Sequence, residues 1–251
     1  MRMPFAFVDV DRLDAATHGA MWEIYRAGHE ITRAEFEAAS FRKFDRIFLY
    51  RRRDGVLRGF MGIRDRTLCL PDASRIRCIY FGQACFRPED RGSGMAVVAP
   101  LLLSVGHVLR FPGRRALGWF DALTVRPYLM SHRAAAEVYP DPRRPTPPEL
   151  IEVRDRLGHT YYGDAYDPAR GVIRKTARLV SEPPVDPARL ADPLVRHYVE
   201  LNPGYVDGDG LLVLVPVTMA TVRRALRRIL KVRRRGPSAP SDGDDGRALP
   251  A

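Results

Sequence analysis

Two stretches rich in β-forming residues, 46–52 and 56–64, flank the pair Asp54-Gly55, and this pattern predicts a hairpin. A Pro71-Asp72 break follows, then a long alternating run over 75–86 that predicts a strand. Strict alternation puts Ile79, Phe81, Gln83 and Cys85 on one face of that strand, and Cys78, Tyr80, Ala84 and Phe86 on the other. Upstream, residues 5–10 read as a short strand. Asp11 resembles an N-cap for a helix over 12–28, with Leu13, Met21, Ile24 and Tyr25 on its apolar side. Thr32 with Glu35 three residues on forms a capping box for a second helix, which carries Phe36 and Phe41 and is followed by Phe44. Downstream come an apolar helix over 95–109, a strand over 116–125 and a helix over 127–139. Pro100 predicts a kink in the apolar helix or a late start to it. A Pro-rich loop fills 140–148, and Pro148 or Glu149 opens a helix to about Leu157. Residues 161–172 are turn-rich, 211–217 form a late strand, 218–235 a basic helix and 236–251 a disordered tail.

The chain has 251 residues, 45% hydrophobic and 28% charged, the composition of a soluble globular protein. Three cysteines cannot build a disulfide framework, which favours a reducing compartment and a cytoplasmic location. No C-x-x-C or H-x-x-x-H spacing points to zinc. Asp9, Asp11 and Asp14 lack the glycine and terminal Glu of a calcium loop and read as helix caps. Asp9 and Asp11 come too early for a signal-peptide core, and the apolar run at 95–109 is shorter than the ~20 residues a membrane span needs.

The net charge is +11, but residues 222–235 alone carry eight positive charges and no acid. The excess is therefore local, and no nucleic-acid module or stacking motif accompanies it, so specific nucleic-acid binding is not expected. Met219, Val222, Leu226, Ile229 and Leu230 recur at helical spacing in this segment. Such a helix docks its apolar face on the domain, or it meets an anionic surface, a membrane or an acidic partner such as acyl-carrier protein. The organisation that follows is a domain over 1–217 with an extension from about 141, then the basic helix, then the tail.

Candidate chemistry concentrates where the long strand turns into the apolar helix. A phosphate needs several backbone N–H donors converging on one point, and glycines and a helix N-terminus supply them. Arg91, Gly92, Ser93, Gly94, Met95 and Ala96 offer a cation, two glycines and a hydroxyl at that junction. No Gly-Lys-Ser/Thr follows, so the segment is not a P-loop, and position 97 lacks the glycine of a dinucleotide fingerprint. A tight strand-to-helix connection with no ligand is the alternative. Cys85 lies close by as a candidate nucleophile or a packing residue.

Arg91-x-x-Gly94-x-Ala96 resembles the Q/R-x-x-G-x-G/A signature of the GCN5-related N-acetyltransferase (GNAT) superfamily, and Phe86-x-Pro88-Glu89 resembles the strand ending before it. The preceding hairpin and the following strand and helix sit in that family's order. Trp119-Phe120, Tyr139-Pro140-x-Pro142, Gly163-Asp164-x-Tyr166-Asp167-Pro168 and Asn202-Pro203-Gly204 are similar to phrases of a bacterial branch. The resemblance implies an α/β fold with a mixed, mostly antiparallel central sheet and helices on both faces. It implies N-acyltransfer from acetyl-CoA or another acyl-CoA to a small-molecule or peptide amine. The pyrophosphate would rest on the N–H groups of Arg91 to Ala96, and the pantetheine would pair with the backbone of Ala84 and Phe86. The strands after the loop would splay apart to admit the thioester. Tyr128 matches the position of the family's thiol-protonating tyrosine, and Asp121 or His132 stands in for a general base. Acyl-carrier protein could replace CoA as donor. A GNAT-like scaffold that binds a ligand or partner without catalysis is the alternative. Tyr161, Tyr162 and Tyr166 line an acceptor pocket or pack a loop.

Overall fold

The computed structural model describes residues 4–91, 94–174, 178–179 and 184–235. The disordered tail expected over 236–251 therefore lies outside the described residues. In chain order the elements are β1 (Phe5–Asp9), α1 (Ala15–Arg26), β2 (His29–Glu30), α2 (Arg33–Lys43), β3 (Arg46–Arg51), β4 (Leu57–Cys69), β5 (Arg75–Phe86), α3 (Met95–Arg110), β6 (Ala116–Ala122) and α4 (Val125–Ala134). There follow α5 (Pro148–Tyr162), β7 (Tyr166–Asp167), β8 (Val172–Ile173), β9 (Arg178–Leu179), α6 (Pro193–Leu201), β10 (Gly210–Pro216) and α7 (Met219–Arg235).

The expected hairpin is β3–β4, and the capping box is present at Thr32 and Glu35. The first helix starts later than expected. Asp14, not Asp11, caps it by accepting from the Thr17 N–H at 2.6 Å, because residues 10–12 form a separate 3-10 turn. The apolar helix α3 begins directly after Gly94 and runs through Pro100, so it has no late start. Helix α5 continues past Leu157 to Tyr162, which brings two tyrosines onto the sheet.

Eight strands form one sheet in the order β1-β3-β4-β5-β6-β10-β8-β7. Every neighbouring pair is antiparallel except β5–β6, which is parallel because α3 crosses over between them. The fold is thus the expected mixed, mostly antiparallel α/β sheet. β10 is apolar at nearly every position because both its faces are covered: Leu212 and Leu214 join the cluster with α5, and Leu211 and Val213 join α4 and α6. In the other half-sheet, α1 and α2 cover the face bearing Ile76, Cys78 and Tyr80, and α3 covers the face bearing Ile79 and Phe81.

The strict alternation expected along β5 does not hold. Gln83 takes φ +48° and the β4–β5 register slips between Phe60/Cys85 and Gly62/Gly82, so one extra β5 residue is accommodated as a bulge. Cys85 consequently joins the same core cluster as Tyr80, not Phe81. Gln83 also turns to the α2 side, where the Ser40 hydroxyl donates to its Oε1 at 2.7 Å.

Helix α7 docks on α3 and α4. Its contact stripe is Val222, Ala225 and Ile229 against Val97, Leu101, Met130 and Ala134. Arg224 adds a hydrogen bond to the His132 carbonyl at 3.1 Å. The apolar face read from the sequence is thereby split, since Met219, Leu226 and Leu230 lie on the neighbouring stripe and remain exposed. Val222→Ala should therefore lower stability by about 1–2 kcal/mol, from lost burial and a small cavity. Leu226→Ser should leave the melting temperature within about a degree of wild type. Thermal denaturation of the two variants checks this split.

Candidate active site

The parallel β5–β6 ladder has four residue pairs, from Arg77/Ala116 to Tyr80/Trp119. β5 then continues to Phe86, bonded along its other edge to β4, while β6 continues to Ala122 bonded to β10. Past Tyr80 and Trp119 no further pairing between the two strands is described, and β5 runs on toward the segment that leads into α3. Ala84 and Phe86, expected to pair with a pantetheine, both lie on β5 beyond the last rung.

The turn that follows β5 is held by charge. Arg58 on β4 donates to Glu89 and Asp90, each at 2.7 Å, and fixes the 3-10 turn of residues 88–90 to the sheet. Glu89 belongs to the Phe86-x-Pro88-Glu89 phrase, but nothing in the sequence points to Arg58 as the partner of Glu89 and Asp90. Arg91 follows, its guanidinium turned back toward the Phe86 carbonyl at 3.4 Å. Gly92 and Ser93 lie outside the described residues. Gly94 has φ +77° and caps α3 with backbone alone, a conformation that disfavours any side chain. Met95 and Ala96 form the first turn, where N–H groups lack helical partners and the dipole favours an anion.

Beside the last rung, on the face covered by α1, α2 and α5, lies a hydroxyl–carboxylate chain. Tyr162 donates to the Tyr80 hydroxyl at 3.2 Å, and Tyr80 donates to Asp121 Oδ1 at 2.6 Å. Burial pushes the Tyr80 phenol well above its ordinary pKa, and pushes Tyr162 up to about 12, so both keep their protons at neutral pH. Phe44, Tyr80, Trp119 and Tyr161 stack in series, with centroid separations of 5.8, 4.3 and 5.4 Å. Two cations cover the outer rings: Arg64 sits 4.8 Å from the Tyr161 centroid and Lys43 sits 5.8 Å from that of Tyr162. Burial and the nearby Arg64 lower the Lys43 pKa. Lys43, Arg64, Tyr80, Trp119, Tyr161 and Tyr162 line a cavity of about 20 Å³, room for about one water or an amine nitrogen. Of the tyrosines proposed for an acceptor pocket, Tyr161 and Tyr162 are here. Tyr166 instead donates to Asp155 at 2.5 Å and packs below α5.

The two catalytic candidates are in different places. Asp121 belongs to the chain just described. Tyr128 is fully buried, its hydroxyl donating to the Pro140 carbonyl at 2.9 Å, its ring against His132 and Tyr198. His132 shares that cluster, and burial holds its pKa down to about 4 despite the nearby Asp141 carboxylate. Burial also raises the Cys85 thiol to about 12, which leaves it protonated and a poor nucleophile. Among the described residues, no group of three or more His, Cys, Asp and Glu could hold a metal ion. A second cavity, of about 440 Å³, opens at the opposite end of β6, bordered by Phe111, Arg114, Arg115, Ala116 and Met219.

No protein-family model matches the chain, and no curated protein matches it. Among solved structures it is similar to a probable N-acyltransferase from Enterococcus faecalis V583, at 11% identity and TM-score 0.37, over 54% of this chain and 33% of that one. It thus spans about a third of the length of the Enterococcus protein. It is similar to an aminoglycoside 6′-N-acetyltransferase from Acinetobacter haemolyticus, at 14% identity and TM-score 0.39, over 52% of this chain and 88% of that one. It is also similar to the ribosomal-protein-S18-alanine N-acetyltransferase from Escherichia coli, at 13% identity and TM-score 0.36, over 86% and 96% of the two chains. These likenesses are distant in sequence and partial in superposition.

Two measurements test the Tyr128 cluster. Tyr128→Phe removes one buried hydrogen bond and should cost about 1 kcal/mol of stability while turnover is retained. A turnover loss of roughly 10²–10⁴ at unchanged stability would instead make it the general acid. His132 has a folded pKa of about 4, below its unfolded value. The unfolded chain therefore takes up the proton first, and the stabilisation present above pH ~6.5 is lost as pH falls toward ~4. Wild type should lose about 2 kcal/mol between pH 7 and 5, and His132→Gln should show a flatter profile. The mixed, mostly antiparallel sheet with helices on both faces is the architecture expected from the sequence.

Proposed function

We propose that the protein is an acyl-CoA-dependent N-acyltransferase. The observation that carries this reading is the end of the parallel β5–β6 ladder at Tyr80 and Trp119, with an anion-favouring helix start following β5 and the Tyr162–Tyr80–Asp121 chain beside the last rung. An extended thioester arm laid along the free edge of β5 past Tyr80 would find backbone partners at Ala84 and Phe86. Its diphosphate would meet the N–H groups around Arg91, Gly94, Met95 and Ala96. The acyl carbonyl would then stand near Tyr80.

The chemistry is a direct transfer. The nitrogen of a neutral amine attacks the acyl carbonyl, the C–N bond forms, and the C–S bond breaks as the thiolate departs. The amine loses one proton and the thiolate gains one. Asp121 at the end of the hydroxyl chain accepts the first, and the protonated Tyr80 and Tyr162 phenols can relay the second. The stacked aromatic walls keep water from competing with the amine. Arg64 and Lys43 beside the cavity favour an acceptor that carries negative charge away from its amine.

Binding and chemistry separate experimentally. Acetyl-CoA should raise the melting temperature of the full chain, and Gly94→Val should abolish that rise while remaining folded. Unchanged CoA affinity in folded Gly94→Val would overturn the proposed phosphate site. Asp121→Asn should keep CoA binding and lower kcat by roughly 10²–10⁴ in an amine-acceptor screen. Normal turnover in that variant would remove Asp121 from the reaction.

A further inference from the structure

The charge of this protein is sorted by layer. Helices α3, α4 and α7 pack together on one side of the sheet. Their sequences contain eleven Arg and Lys and not one Asp or Glu, which equals the net charge of +11 for the whole chain. Every other segment taken together is neutral. Arg110, Arg126, Arg223, Arg224 and Arg227 of this layer are exposed.

The same layer carries exposed aliphatic side chains. Leu109 is 74% exposed, Leu230 56%, Met219 46%, Leu226 44% and Leu102 39%. Three of them follow one stripe of α7, beside the stripe that docks on the domain. In a helix whose buried face is already satisfied, a second aliphatic stripe left exposed has no packing role among the described residues. Arginines flanking it on an acid-free surface give a cationic amphipathic face.

We propose that the outer face of α7, with the exposed leucines of α3 beside it, binds the surface of an anionic phospholipid bilayer. The stripe and its arginines run along a 17-residue helix, roughly 25 Å. That extended form suits a planar charged surface better than a compact protein partner. Exposed leucines also argue against nucleic acid, whose phosphates would meet the arginines but offer the aliphatic groups nothing, and this face has no aromatic residue on α7 to stack a base. No described helix is long and apolar enough to cross a membrane, so the contact is one of lying on the surface. This proposal is independent of the acyl-transfer reading.

Co-sedimentation of the full chain with vesicles tests it. The protein should bind phosphatidylcholine vesicles containing phosphatidylglycerol, should ignore phosphatidylcholine alone, and should lose binding as salt rises. Arg223→Glu/Arg227→Glu and, separately, Leu226→Ser/Leu230→Ser should each weaken binding by at least about tenfold, with melting temperature and CoA affinity kept. Binding that survives the leucine change would overturn the proposal, because it would be charge attraction without insertion. So would equal binding to both vesicle types. A protein that ignores both vesicles but binds soluble acyl-carrier protein would overturn it in favour of that partner.

Discussion

The bulge at Gln83 controls how β5 meets its neighbours. A non-glycine residue at positive φ costs on the order of 1–3 kcal/mol and persists only where surrounding contacts hold it. Here the Ser40 hydroxyl bonds the Gln83 amide, drawing the side chain to the α2 side of the sheet. The extra residue is accommodated just after the last rung that β5 shares with β6, at Tyr80. The same displacement brings Cys85 into the cluster with Tyr80. The bulge is thus tied to α2 through one hydrogen bond.

Much of the frame was legible because it is written locally. Asp54-Gly55 sets the β3–β4 turn, Thr32 and Glu35 set the start of α2, and Gly94 sets the start of α3. The bulge was not legible: Gln83 is neither Gly nor Asn, and its conformation is imposed by Ser40, 43 residues away in sequence. Tyr162 met Tyr80 across 82 positions, a contact that depends on α5 running one turn beyond the expected stop. Asp121 was legible as a polar residue on an apolar strand, but its partner was not. The α7 face was misread by one stripe because Ala225, too small to register in a hydrophobic pattern, allows close approach to α3 and α4.

The two polar clusters illustrate how burial assigns roles. Around Asp141, Arg143 and Arg144 supply paired charges, and its carboxylate, although burial alone would raise its pKa, is held down to about 2. That group is saturated with partners and serves the loop. Asp121, by contrast, accepts from the Tyr80 phenol, whose ring borders the small cavity. A carboxylate clamped by two guanidiniums cannot exchange protons without breaking ion pairs.

The four-rung seam has a mechanical meaning. The eight strands amount to two antiparallel blocks, β1-β3-β4-β5 and β6-β10-β8-β7, joined along one short parallel contact. Each block is stiff within itself, and the joint is the compliant part of the sheet. A ligand arm bonded to the free edge of β5 would extend the ladder across the joint and act as a splint between the blocks. Its departure would restore the compliance, so the rigidity of the whole sheet would rise and fall with each turnover.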